Sequence, residues 1–356
     1  MTLLRTYIVL AVLRGVATVM AVLVAVTCVM EFVGQLNDVG TGAYDLQAAA
    51  AYVALGVPRT VFVTLPIGAL IGALLSLGNL AVHRELIVMR ASGVSSLQLL
   101  SAVGLAGLVL AVLMVLLGER VAPSLRAYAS EMRTRTMHEQ IAVGDGQATW
   151  LREGDRIVSL RRQATDLGYG GGVLIFELGP DQTLKEVARA DSADLDAANR
   201  WVLSNYAETS FEEGGVTVRA ARDSSAAHGL NPDLLELSAV RADLLDTPSL
   251  VRYIGYLRAN SLDAHRYLVA YWSRLANVIS VVAMTVLALP FVFGGLRSAG
   301  AGARLLVGLI IGLTYYVAGQ VLTSGGEVYR VDPLLIAWAP TVLVILVAGI
   351  ALARVR

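Results

Sequence analysis

Thr60-Val-Phe-Val-Thr-Leu-Pro-Ile-Gly-Ala-Leu-Ile-Gly-Ala-Leu-Leu-Ser-Leu-Gly-Asn-Leu-Ala-Val82 carries no charge anywhere along its length. About 20 apolar residues in helix cross the hydrocarbon core of a bilayer, so this stretch, with Arg59 at its start, reads as a membrane span. Five further runs reach that length, near 8–33, 97–118, 268–294, 303–323 and 334–353. They fall into two groups of three around a charged segment, about 122–266, that lipid would not accept. The fold class is an α-helical membrane protein with six transmembrane helices, three and three, and one inserted domain. The expected divisions are 1–121, 122–266 and 267–356.

Composition agrees. Hydrophobic residues make up 56% of the chain, against a soluble norm of roughly 45–50%, and mean hydropathy is +0.65. Formal net charge is zero and no basic stripe interleaved with aromatics is present, which argues against nucleic acid as a partner. The single cysteine, Cys28, excludes an intrachain disulfide and a cysteine-based metal site. Arg5 before an apolar run has the outline of a signal peptide. The run continues to Met30, however, and Glu31-Phe-Val-Gly34 is no small-x-small cleavage site, so an uncleaved first span is expected.

Arginines near span ends set the orientation. With the N-terminus in the cytoplasm, Arg5, Arg14, Arg84, Arg90, Arg297, Arg304, Arg354 and Arg356 all fall inside. The short outer loops then carry Asp38 and Asp45, and Glu327, Arg330 and Asp332. Both termini are expected in the cytoplasm and the 122–266 domain outside. Within the spans, Gly68 and Gly72, and again Gly308 and Gly312, are spaced four apart, which lets helix backbones approach closely. Pro66 and Pro290 are expected to kink their spans.

After the second span comes Ala81-Val-His-Arg-Glu-Leu-Ile-Val-Met-Arg-Ala-Ser-Gly-Val94. Leu86, Met89 and Arg90 recur at i, i+3, i+4, and Gly93 is a natural helix terminator. The pattern predicts a short amphipathic helix, about 83–93, on the cytoplasmic face. It fits either a plain positive loop or a helix that docks into a soluble partner through Glu85.

The inserted segment has β character: runs at 149–152, 156–160, 172–178, 184–188, 201–205 and 215–218 alternate with Gly, Asp and Asn. Such spacing suggests a sandwich, jelly roll or open barrel. A helix is expected over Arg120–Ile141. Catalytic patterns are absent from the sequence: His83, His138, His228 and His265 are scattered, and no Gly-x-x-x-x-Gly-Lys-Ser/Thr loop occurs. Gly168-Tyr-Gly-Gly-Gly172 leads into a strand-like run rather than a helix, so it reads as a hairpin. Glu31 and Glu119 lie at the outer ends of spans, leaving no deep acids for proton relay. Any transport energy must come from a partner.

Several stretches resemble the lipopolysaccharide-export permease family, LptF/LptG, and its LptG branch most: Phe32-Val-Gly-Gln-Leu-Asn37 with Gly42-Ala-Tyr-Asp45, Leu74-Leu-Ser-Leu-Gly-Asn-Leu-Ala81, Glu85-Leu-Ile-Val-Met-Arg-Ala-Ser-Gly93, Tyr253–Tyr271, and Phe291-Val-Phe-Gly-Gly-Leu-Arg-Ser298. The resemblance covers nearly the whole chain. It implies a periplasmic β-jellyroll and a non-catalytic half of an ABC transporter in the bacterial inner membrane. The implied partners are an LptF-type half, an LptB-type ATPase dimer that uses ATP and Mg, and the bridge proteins LptC and LptA. The implied substrate is lipopolysaccharide, with no cofactor or metal in this chain. By the same resemblance Arg84, Glu85, Leu86, Met89 and Arg90 form the coupling helix, Glu85 reaching the ATPase.

Lipopolysaccharide pairs acyl chains with an anionic head, and arginines at the outer rim suit its phosphates. Arg59 and Arg133 stand at headgroup height and match basic positions of LptG-type relatives; Arg266 and Arg274 come next, where the fourth span enters. One departure stands out. Relatives often place lysines at the outer end of the first span, where this chain has Glu31, Asn37 and Asp38. Another arginine, a bridging divalent cation, or a head group with less charge or added amines could each compensate. Competing readings are the paralogous LptF-type half, a scaffold or mechanotransmission subunit that moves no lipid, and a membrane-anchored periplasmic enzyme. The last is disfavoured by the absence of any triad, metal set or carboxylate pair in 122–266.

Overall fold

A computed structural model describes residues 2–138, 148–153, 155–161, 164–165, 168–169, 172–179, 183–195, 201–212, 215–224, 245–293, 300–329 and 331–354. Expectations placed on 139–141, Gly154, Gly170, Gly171, His228, 294–298, Arg330 and Arg356 lie outside those residues. Among the described residues six helices are long and apolar enough to cross a membrane: Leu3–Gln35, Leu46–Val82, Ser96–Met137, His265–Phe293, Ala301–Gly326 and Pro333–Arg354, here the first to sixth spans. Met1–Met137 and His265–Arg356 form one compact unit, and His138–Ala264 forms another. The inserted unit thus begins at 138 rather than 122, because helix Ala122–His138 prolongs the third span and stays with the other helices.

The second span is the hub of the helical unit. Of its most apolar window 61% is buried, against 11% for the fifth span. A Cβ on Gly68 would strike Met20, and one on Gly72 would strike the backbone of Val16, so both glycines seat the first span. Gly308 and Gly312 of the fifth span face Ile71, Leu74 and Ile67 of the second instead. The two small-residue motifs therefore bring different helices onto one support, through van der Waals contact that lipid cannot match. Pro58, Pro66 and Pro290 all lie inside continuous helices. Tyr315 of the fifth span donates to Asn277 Oδ1 at 3.3 Å and lies 3.4 Å from Thr341 Oγ1, tying the last three spans together.

The third span does not stop at the membrane boundary that hydropathy suggests. Its α-helix, Ser96–Leu116, passes through a π-turn, Leu117–Val121, into helix Ala122–His138. A π-turn adds a residue to the helical turn and so re-aims everything beyond it. Gly118 leaves room there for the Phe62 ring.

Among the described residues the inserted unit holds nine strands: β1 (Ala148–Glu153), β2 (Arg156–Arg161), β3 (Ala164–Thr165), β4 (Gly168–Tyr169), β5 (Val173–Leu178), β6 (Leu184–Ala190), β7 (Ser192–Leu195), β8 (Trp201–Glu212) and β9 (Gly215–Ser224). They run β1-β2-β5-β6-β8-β7-β4-β3, with β9 on β8. Every pairing is antiparallel. One edge of β8 is shared: residues 207–210 pair with β6 and 201–204 with β7. Alternation along β5 buries Val173 and Ile175 and turns Leu174 outward. Val158, Ala188, Leu203 and Tyr206 complete this core, against which Tyr256 of helix Thr247–Ala259 packs.

On β5 and β6, Glu177 and Glu186 are directly opposed. Glu177 is held below the usual carboxylate range, because it accepts hydrogen bonds from Lys185 and Arg156. Glu186 is pushed up, first by burial and then by Glu208 and Glu177. An acid whose folded pKa is raised lowers stability once pH rises above that pKa. Glu186→Gln should therefore strengthen this strand pair at pH 7 by about 0.2–1 kcal/mol, the usual scale of cross-strand charge pairs. Slower amide hydrogen exchange in β5 and β6 of the intact protein would register it. The gain should shrink as pH falls through the carboxylate range, where wild-type Glu186 is protonated as well.

Candidate functional site

Two polar clusters lie at opposite ends of the second span. At its C-terminal end Arg84 takes a left-handed conformation (φ 62°), which turns the chain sharply into helix Glu85–Ala91. Gly93 (φ 89°) closes that helix, and a capping box of Ser95 and Gln98 starts the third span. Leu86 is 2% exposed and Met89 packs against the helical core, so these two anchor the helix. Ile87 and Val88 face outward at 40% and 61% exposure. The Tyr7 hydroxyl of the first span donates to Glu85 Oε2 at 2.7 Å. The Arg90 guanidinium lies over the Phe293 ring, 5.5 Å from its centroid. Leu86, Ile87, Arg90, Val292 and Phe293 help to line an open cleft of about 290 Å³. The helix is thus fixed on one face and offers the other, with arginines flanking a carboxylate.

At the opposite end Glu31 pairs with Arg126 Nη1 at 3.3 Å, and Asp38 pairs with Arg133 Nη2 at 2.5 Å. Both acids and both arginines are seven positions apart in sequence. The two guanidiniums lie over Tyr52, 4.9 and 5.4 Å from its ring centroid. Such cation–π contact is strongest where water is partly excluded. Close approach depends on Gly56: a Cβ there would lie 3.3 Å from Arg126 Nη1 and 3.6 Å from both Glu31 oxygens. Tyr44 is buried and donates to Gln35 Oε1 at 3.2 Å, while the Ala43 amide donates to the Thr136 carbonyl at 2.8 Å. The loop after the first span is thereby tied to the third-span extension.

Of the four arginines singled out from sequence, Arg133 joins this cluster. Arg59 is half-buried on the second span, three residues beyond Gly56; Arg266 is exposed in the first turn of the fourth span and Arg274 is half-buried two turns on. Sequence reading passed over Arg126, Tyr52 and Tyr7, and Phe293 entered it only as part of the quoted Phe291–Ser298 stretch. The matching seven-residue spacing of 31/38 and 126/133 was the available signal. Glu31 and Asp38, read as lost or reversed charges, are each partnered by an arginine of the same chain. No group of three or more His, Cys, Asp or Glu able to hold a metal exists among the described residues.

Six membrane-length helices among the described residues, an inserted β-sheet unit, a presented short helix and a polar rim define the class of a multi-pass membrane protein. Comparison with known proteins sharpens this class. The family model described as lipopolysaccharide export system permease LptF/LptG matches residues 6–354. The chain is 33% identical over 325 residues to the lipopolysaccharide export system permease protein LptG of Escherichia coli K12, covering 90% of this chain and 89% of that protein. It is 28% identical over 351 residues to LptG of Haemophilus influenzae, covering 98% of both. The chain belongs to the LptF/LptG family of lipopolysaccharide export system permeases.

Proposed function

We propose that this chain is the LptG-type half of an ABC transporter that draws lipopolysaccharide out of the inner membrane and passes it to a periplasmic bridge. The observation that carries the reading is the second span, a single continuous helix packed against the first, fourth and fifth spans, with the presented helix Glu85–Ala91 at one end and the arginine rim at the other. Motion delivered at one end can reach the other through a packed element. The sequence has no phosphate loop, so an LptB-type ATPase dimer, using ATP and Mg, would supply the energy. Arg5, Arg84, Arg90, Arg304 and Arg354 favour the short-helix end as cytoplasmic, which supports a topology with both termini inside and the β unit in the periplasm. The first and fifth spans leave Val22, Val26, Met30, Leu306, Ile310 and Val321 exposed. Those faces suit acyl chains and an LptF-type half, with LptC and LptA receiving the lipid.

Photocrosslinking residues at Arg59 and Arg133 in intact cells test this reading. ATPase-dependent adducts with lipopolysaccharide are expected at both. Silence at both, and at the inward-facing Ala188 of the β unit, would point instead to a scaffold that moves no lipid.

A further inference from the structure

Building on the export reading above, we propose that Glu31, Asp38, Arg126 and Arg133 form a charge-balanced receptor that selects an amine-bearing anionic head group over a bare polyanion. Two carboxylates and two guanidiniums sum to zero, and each acid already neutralises one arginine. The four side chains are 21–38% exposed, within reach of a ligand yet partly withdrawn from water.

The arginines are engaged but not saturated. Each pair rests on a single nitrogen–oxygen contact rather than a two-pronged one. A guanidinium offers five N–H donors in a fixed fork, and the buried Nε of Arg133 makes no hydrogen bond among the described residues. With one contact each to an acid, both guanidiniums keep further N–H donors for another anionic group. Tyr52 under both guanidiniums keeps them aimed whichever anion they hold. At 1.5 Å rise per residue, the two arginines stand roughly 10 Å apart along their helix, a separation that suits two sites on one large head group.

Partner exchange decides the selectivity. A bare phosphate that displaces Glu31 from Arg126 leaves a half-buried carboxylate unpaired beside a new anion. Leaving one member of a desolvated pair without its partner is costly, and like charges side by side add to that cost. A head group carrying both amine and phosphate avoids the problem. Its phosphate takes the arginine, its ammonium takes the released carboxylate, and every charge remains paired.

The test compares two lipids on the wild-type protein with its co-purifying partners in lipid nanodiscs. One is lipid A with free phosphates; the other is the same lipid A with amine-capped phosphates. Wild type should hold the amine-capped form about tenfold more tightly, the scale of one well-formed charged contact. The double substitution Glu31→Gln with Asp38→Asn should abolish or reverse that preference. The charge swap Glu31→Arg with Arg126→Glu keeps the balance and should keep the preference, which also guards against a double variant that fails to fold. Equal affinity in wild type, or a preference for free phosphates there, overturns the proposal. So does a preference that survives in the folded double variant. Failure of both lipids to bind wild type would overturn the export reading along with it.

Discussion

Gly72→Leu is expected to unseat the first span and cost about 3 kcal/mol or more, the upper part of the overpacking range. The obstacle is backbone, which cannot rotate away: a Cβ at Gly72 would lie 2.6 Å from the Val16 amide nitrogen and 2.8 Å from its Cγ2. The contact is reciprocal, because a Cβ on Gly15 would lie 2.8 Å from the Gly72 carbonyl oxygen and also meet Ser76. Ser76 is itself committed, donating to the Gly72 carbonyl at 2.6 Å. Displacing the first span would also disturb Tyr7 at one end and Glu31 at the other. The measurement is thermal unfolding of the detergent-solubilised protein, together with its steady-state level in membranes. Gly104→Ala is the control: nothing lies within 4 Å of its Cβ position, and alanine is the better helix former. A Gly72→Leu protein that melts like wild type would show that the first two spans do not approach at this point.

Hydropathy made the spans legible but not their ends, since it reports depth in lipid rather than length of helix. The second span was expected from 59 and runs from Leu46. The added turns carry Gln47, Tyr52, Gly56 and Pro58, which dilute the apolar average, and of these Tyr52 and Gly56 build the rim. The third was expected to leave the membrane near 118 and a separate helix to follow over Arg120–Ile141; the helix is there to His138, joined to the span without a break through the π-turn. That turn sets which way Arg126 and Arg133 point, and no spacing rule in the sequence announces it. Pairs such as Glu31–Arg126 join residues 95 positions apart, so a carboxylate read alone looked like a charge reversal. In the inserted unit the alternating runs found β1, β2, β5, β6, β8 and β9. Strands β3, β4 and β7, of two to four residues, are too short to carry a period of their own. The short helix after the second span was the most legible element. Its apolar pair Leu86 and Met89 and its terminator Gly93 sit close together in sequence, and local pattern suffices where local contacts decide.

On the proposal that an LptB-type ATPase docks at the presented helix, Glu85→Ala is expected to give the largest functional loss, at least thirtyfold in affinity for that ATPase. Removing one member of a buried interfacial charge pair costs about 2–5 kcal/mol, largely because its partner is left unpaired. Membrane insertion should not change, because Leu86 and Met89 still hold the helix to the core when the bond from Tyr7 to the Glu85 carboxylate is lost. Tyr7→Phe separates contact from positioning. It removes the donor at 2.7 Å but leaves the carboxylate in place, so the loss should be milder, up to about tenfold. Co-purification of the ATPase with the tagged chain measures docking, and the ATP hydrolysis rate of the assembled complex measures coupling. Normal docking and hydrolysis in Glu85→Ala would refute the coupling role of this helix. A Tyr7→Phe protein that loses coupling while retaining docking would place the first span in the drive train, since its hydroxyl bonds the presented helix through Glu85. Both readouts together decide whether Glu85 acts as a grip on the ATPase or as a joint between the presented helix and the first span.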